Sequence, residues 1–138
     1  MPDAHLRQVA MRYYDALNAA DDDALARLVT LACQHHVGGC SLDHAAFRQS
    51  LVAYRAGFAS LCTRVEHLLT ENDCVATRTV TSGVHTAPFL GHPATRRAFS
   101  AGGSDFLRIE HGRIAEVWSV FDTFGMLRQL GITGETAS

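Results

Sequence analysis

The spacing of apolar residues changes once along this chain, and that change restricts the fold more than any other feature. Up to Phe58 apolar positions recur every three or four residues, the period of a helix; beyond Ala59 they alternate, the period of a strand. Leu6, Val9, Ala10, Tyr13 and Leu17 form one face of a first helix. Asp21-Asp22-Asp23 supplies an N-cap and early acids for a short second helix whose inward residues are Leu25, Leu28 and Val29. Ser41-Leu42-Asp43 caps a third, in which Phe47, Leu51, Tyr54 and Phe58 make an aromatic stripe read as core rather than as a cofactor box.

The alternating segments 61–69, 74–85, 97–109 and 114–121 are rich in Thr, Val and Ile and predict strands. Glu71-Asn72-Asp73 turns between the first two, and His111-Gly112 makes a tight hairpin between the last two. A short helix from Phe124 to Leu130 closes at Gly131, and the tail 132–138 is expected to be flexible. Helices followed by antiparallel strands define an α+β fold, with one face of a curved sheet covered by three helices. Such a sheet leaves an apolar hollow open at one end, a shape that binds small molecules. A chain of 138 residues makes this one domain, residues 1–138.

The net charge is −2 and the basic residues are scattered, which argues against nucleic acid and anionic membranes as partners. No apolar run approaches the ~18 residues of a membrane span, and Met1-Pro2-Asp3-Ala4-His5 has no leader character. Cys33, Cys40, Cys62 and Cys74 include no Cys-x-x-Cys pair, so a cytoplasmic protein with free and mostly buried thiols is expected. Cys33, His35, His36, Cys40 and His44 match no zinc spacing, and adjacent His35 and His36 would face opposite sides of a strand, so no metal is expected. Nucleotide-binding loops, a nucleophile elbow and His-Glu-x-x-His are absent.

Counting by twos from Ile114 puts Glu116, Trp118, Val120 and Asp122 on one face and Ala115, Val117, Ser119 and Phe121 on the other. Were the first face to line the hollow, Trp118 would desolvate Asp122 and raise its pKa from ~3.9 toward the range of a general acid or base. The alternative is that Asp122 caps the helix after it. The opposite face, with Val117, Ser119 and Phe121, is too apolar to leave wet and predicts a homodimer. Asp105 shares parity with Phe99, Ala101, Leu107 and Ile109, and either lines the same hollow or pairs with Arg78. His85 ends a row with Thr77, Thr79, Thr81 and Gly83, suited to a wetter part of a pocket or to plain surface.

Gly83-Val84-His85-Thr86, Phe89-Leu90-Gly91-His92-Pro93, Phe106 to Ile114, Trp118-Ser119-Val120-Phe121-Asp122 and Leu127-Arg128-Gln129-Leu130-Gly131, in that order, resemble the SnoaL-like polyketide cyclases of the nuclear transport factor 2-like superfamily. The resemblance implies a cone-shaped barrel with a deep apolar pocket and a homodimer through the outer sheet face. It also implies aldol ring closure of a polyketide ester without metal or cofactor, with Asp122 as the acid/base. On that basis His85 would orient substrate, Trp118 would wall the pocket with Val120, and Asp105, Tyr14, Tyr54 and Phe58 would line it around a hydrophobic small molecule. The chain departs from the family's common Gly at Ala87 and Arg96, and from its Phe-Pro-Asp at Ser60-Leu61-Cys62. An isomerase or epoxide-hydrolase-like enzyme on the same scaffold, or a non-catalytic binder, remains an alternative.

Overall fold

A computed structural model of the chain describes residues 3–132. The elements run α1 (Asp3–Ala19), α2 (Asp22–Leu28), β1 (Val29–Val37), β2 (Cys40–Asp43), α3 (His44–Gly57), β3 (Phe58–Glu71), β4 (Cys74–His85), β5 (Ala98–Glu110), β6 (Arg113–Phe121) and α4 (Thr123–Leu130). The caps fall on the expected residues. Asp21 accepts from Ala24 N–H at 3.1 Å, Asp43 from Ala46 N–H at 2.8 Å, and Gly131 ends α4 in the left-handed region at φ 78°. His111 and Gly112, at φ 51° and 78°, make the hairpin whose twist matches its strands. The tail residues 133–138 lie outside the described ones, whereas Ile132 donates to the Leu127 carbonyl at 2.8 Å and is tied down.

Six strands form one curved sheet in the order β2-β1-β6-β5-β4-β3, antiparallel except for β1 against β6. Strands β1 and β2 are additions to the sequence reading, and Val29 opens β1 instead of closing the second helix. Phe58 likewise leaves the third helix and begins β3. Edge strand β3 is held to α1 by Asn18, whose amide accepts from Thr63 N–H and donates to Thr63 C=O, both at 2.8 Å.

A bulge in β6 reverses the face assignment made from alternation. Ile109 pairs with Ile114 but Arg108 pairs with Glu116, so one extra residue sits in β6 and both Ile114 and Ala115 turn inward. Past it the parity is inverted: Val117 is fully buried, whereas Trp118 and Val120 are 38% and 74% exposed. The expected dimer face of Val117, Ser119 and Phe121 is therefore the inner one. The outer face carries a row of directly paired residues across five strands, His36, Trp118, Phe106, Ala76 and Leu69.

Two apolar clusters fill the concave side. One joins Leu6, Val9, Ala10, Tyr13 and Tyr14 of α1 to Val75, Leu107, Ile114 and Val117 of the sheet; the other joins Phe58, Phe99 and Ala101 to Met126 and Leu130 of α4. Among the described residues no helix is long and apolar enough to cross a membrane. Of the four thiols only Cys33 is buried; Cys40 and Cys62 are exposed, contrary to the expectation of mostly buried cysteines.

Candidate active site

Between the two clusters lies a cavity of about 350 Å³. Its helical wall is built from Tyr13, Tyr14, Leu17 and Asn18 of α1 and from Phe47, Leu51, Tyr54 and Arg55 of α3; its sheet wall includes Thr63, Thr79, Thr81, Gly103, Asp105, Ser119 and Phe121. Gly103 is required here. A Cβ at that position would stand 2.8 Å from the Val120 carbonyl and 3.3 Å from the Thr79 hydroxyl.

Asp105 is the carboxylate on this wall, and it is not paired with Arg78, which turns outward to Glu66 at 2.9 Å. Its strand neighbours are Thr77 on β4 and Ser119 on β6, so the acid sits between two hydroxyl residues in one row. The Tyr14 hydroxyl reaches down from α1 and donates to Asp105 Oδ2 at 2.5 Å. With that proton committed, Thr77 donates to the Tyr14 oxygen at 2.7 Å. Burial raises the Asp105 pKa above the usual carboxylate value, and the hydrogen bonds from Ser119 and Tyr14 offset this only in part. Burial, followed by the nearby Asp105 charge, also keeps Tyr14 in its neutral phenol form. Tyr54 completes the wall, its hydroxyl on Met126 sulfur at 3.2 Å and its pKa pushed up by burial to about 12.

Asp105, Tyr14 and Tyr54 thus meet in the cavity, and of the remaining expected site residues Val120 alone also lines it. Val120 contributes only at the rim. Phe58 lies behind Tyr54, their ring centroids 5.3 Å apart. Trp118 stacks on His36 across the outer face at 5.4 Å and does not desolvate Asp122. Asp122 is exposed between the lining residues Phe121 and Thr123, with Oδ1 accepting from Gly125 N–H at 2.8 Å as the N-cap of α4. His85 is fully buried away from the lining, and its Nδ1 accepts from Thr95 N–H at 3.1 Å. It therefore fixes the return of the 86–96 turn, in which Arg96 takes φ 66°, a left-handed conformation that favours glycine.

In the β1 region His35 and His36 point to opposite faces, as strand geometry requires. His36 bonds Glu116 at 2.7 Å outside, while His35 is buried inside, stacked on Phe47 at 3.8 Å, with Nε2 3.7 Å from Cys33 Sγ and 3.4 Å from His44 Nδ1. Among the described residues no group of three or more His, Cys, Asp or Glu is arranged to hold a metal ion. Alternation marked Asp105, but Ser119 was assigned to the wrong face and Arg55 and Asn18 carried no signal. These two line the cavity because α1 and α3 converge there, a tertiary fact.

The fold and its half-enclosed acid place the molecule among the cone-shaped α+β proteins of the nuclear transport factor 2-like type. The family model for SnoaL-like polyketide cyclases matches residues 7–130, and the chain belongs to that family. Its activity accordingly falls in the cyclase or isomerase class of enzymes. The chain is similar to IdmH of Streptomyces antibioticus, provisionally assigned as a polyketide cyclase, with 28% identity, a TM-score of 0.85, and 91% of this chain and 98% of that one covered. It is similar to TsrD of Streptomyces laurentii at 27% identity and TM-score 0.85, covering 96% and 99% of the two chains. AclR of Streptomyces galilaeus, provisionally assigned as a hydroxylase, shares the fold at TM-score 0.88 and 21% identity, with 96% and 99% covered. No curated protein matches the chain in sequence.

Proposed function

We propose that this protein closes a ring by intramolecular aldol-type addition within a polyketide-like ester or related enolisable carbonyl compound, with Asp105 as the acid/base. The observation that carries this reading is a carboxylate of raised pKa, held by Tyr14, facing a largely apolar cavity. The ionised carboxylate takes the α-proton, the enolate carbon attacks the second carbonyl, and protonated Asp105 returns the proton to the new alkoxide. The sequence is redox-neutral and uses one proton throughout. Tyr14 is a positioning residue that orients the carboxylate, and the cavity holds the reacting carbons close. Purified protein incubated with an aromatic β-keto ester bearing a pendant ketone, followed by chromatography and mass measurement, is expected to yield the cyclised product. Unchanged substrate with ligand still bound would favour a non-catalytic binder.

Asp122, which the family resemblance implies as the acid/base, is in this reading a cap. Asp122→Asn is expected to keep activity within about threefold and stability within a few tenths of a kcal/mol, because Asn caps about as well as Asp. Loss of turnover with the fold intact, read by the same assay and a thermal melt, would return the catalytic role to Asp122.

We also propose a homodimer through the outer sheet face, where Phe106 and Trp118 are paired neighbours with 52% and 38% of their surface exposed. A second copy related by a twofold axis covers such a row with its own. Phe106→Glu is expected to convert the dimer to monomer in sedimentation at tens of micromolar, roughly the range of weak interfaces. A wild-type monomer at that concentration would refute the dimer.

A further inference from the structure

Hydroxyl groups supply much of the polar lining of the cavity, and several are spent on the protein itself. The Thr63 and Thr81 hydroxyls bond each other at 2.8 Å, Tyr14 is committed to Asp105, and Tyr54 donates to the Met126 sulfur. Tyr13 differs from the other two tyrosines, because its hydroxyl has no hydrogen-bond partner among the described residues. The side-chain atoms there that are both sealed in and unpaired are His35 Nδ1, His44 Nε2 and His85 Nε2, and the Tyr13 oxygen is not one of them. It therefore touches open space, and for a residue that lines the cavity and is only 2% exposed that space is the cavity. An O–H left without an acceptor in apolar surroundings costs free energy until a ligand oxygen completes it.

The place of Tyr13 beside the acid decides which oxygen that is. Tyr13 precedes Tyr14 on α1, their rings meet edge to face with centroids 5.4 Å apart, and Tyr14 holds Asp105. Burial first, then the charges of Asp105 and Cys33, keep Tyr13 a neutral phenol with its proton in place. A carbonyl oxygen is two bonds from the α-carbon, so the charge that develops when Asp105 takes the α-proton forms close to Asp105, on the side where α1 supplies Tyr13.

We propose that Tyr13 is a second catalytic residue, the hydrogen-bond donor to the enolate oxygen formed when Asp105 deprotonates a ketone or ester substrate. This rests on the reading of Asp105 as the acid/base in the cavity. The α-C–H bond breaks, its electron pair becomes the carbon–carbon double bond of the enolate, the carbonyl π pair moves onto oxygen, and the proton goes to Asp105. Tyr13 keeps its own proton and shares it in a hydrogen bond. When the enolate carbon bonds the second carbonyl, the charge passes to the new alkoxide, which Asp105 protonates. A donor already in place and screened from water stabilises the enolate without reorganising.

The probe is 2-tetralone, a bicyclic aromatic ketone with acidic α-hydrogens and no second carbonyl, so that enolisation is read apart from ring closure as uptake of deuterium from heavy water, by mass. Wild type is expected to accelerate this exchange over buffer. Tyr13→Phe is expected to slow the protein-catalysed exchange by about 10²-fold, with a melting temperature no lower than that of wild type because the lost hydroxyl has no partner in the protein. The infrared carbonyl stretch of bound 2-tetralone, lowered by the hydrogen bond in wild type, is expected to move to higher frequency in this variant, a change that a merely structural role would not produce. Asp105→Asn is expected to abolish exchange while keeping the low carbonyl frequency. An undiminished exchange rate in Tyr13→Phe, a wild-type carbonyl frequency no lower than in hydrocarbon solvent, or losses that fall on Tyr54→Phe or Thr79→Val instead, overturns the proposal and leaves Asp105 as the acid/base. No exchange by wild type, or undiminished exchange by Asp105→Asn, overturns the reading of Asp105 and this inference with it.

Discussion

Asp105→Asn is expected to lower turnover by roughly 10²-fold or more and, at neutral pH, to raise the melting temperature. The two effects have one cause. Burial raises the pKa of Asp105 in the folded protein above its unfolded value of ~3.9. As pH rises from about 4 toward that higher value the unfolded chain releases its proton first, so the folded state is progressively disfavoured, and the deficit persists above it. Asn does not ionise, and its carbonyl still accepts from Tyr14, so the variant escapes the deficit. Melting curves of wild type and variant should therefore diverge across that window in favour of the variant. A variant as active as wild type would remove Asp105 from the mechanism, and a pH-independent difference would show its carboxylate to be well solvated.

Between about pH 6.5 and 4 His35 is expected to contribute the opposite slope. Burial first, then the neighbouring rings of His44 and His36, hold its pKa down to about 4. The unfolded chain protonates near ~6.5, so on acidification it binds a proton that the folded state refuses, and stability falls. The lost stability is on the order of 2–3 kcal/mol at the acid end, taking one pKa unit as about 1.4 kcal/mol. His35→Leu is destabilised at pH 7 by the loss of its stacked ring on Phe47, but it lacks this titration. Wild type and variant should therefore converge in denaturant midpoint as pH falls from 7 to 4. Parallel pH profiles would show that His35 accepts its proton as freely folded as unfolded.

The helices, the four long strands and their turns were legible because local chemistry and tertiary placement agree there: Asp43 caps where a cap was read, and His111-Gly112 turns where a turn was read. Strand β1 was not legible. Between Val29 and Gln34 its pairing with β6 shifts register, which erases the alternation by which strands are recognised. The bulge at Ile114 and Ala115 left no mark either, since alanine suits both faces, yet it decides that Ser119 rather than Trp118 faces the cavity. Asp105 was placed on the correct side because no irregularity interrupts β5 between Phe99 and Asp105. Its partner Tyr14 was named as lining, but the contact spans 91 positions of the chain, beyond any local signal.

The Asn18 clamp on Thr63 has a bearing on what the border of the sheet offers to another chain. Strand β3 forms one border of the sheet, and an unpaired border offers N–H and C=O groups to any other chain in extended form. The amide of Asn18 presents to Thr63 one acceptor and one donor, the same pair that a neighbouring strand would offer. It occupies the template at a single rung. On either side of Thr63 the strand is further spoiled for stacking by register shifts between Ala59 and Cys62 and between Val65 and His67, which increase its twist. Asn18 therefore guards against cross-β growth, and its exchange for leucine, similar in size but without the amide, would first be felt as aggregation on refolding at high concentration.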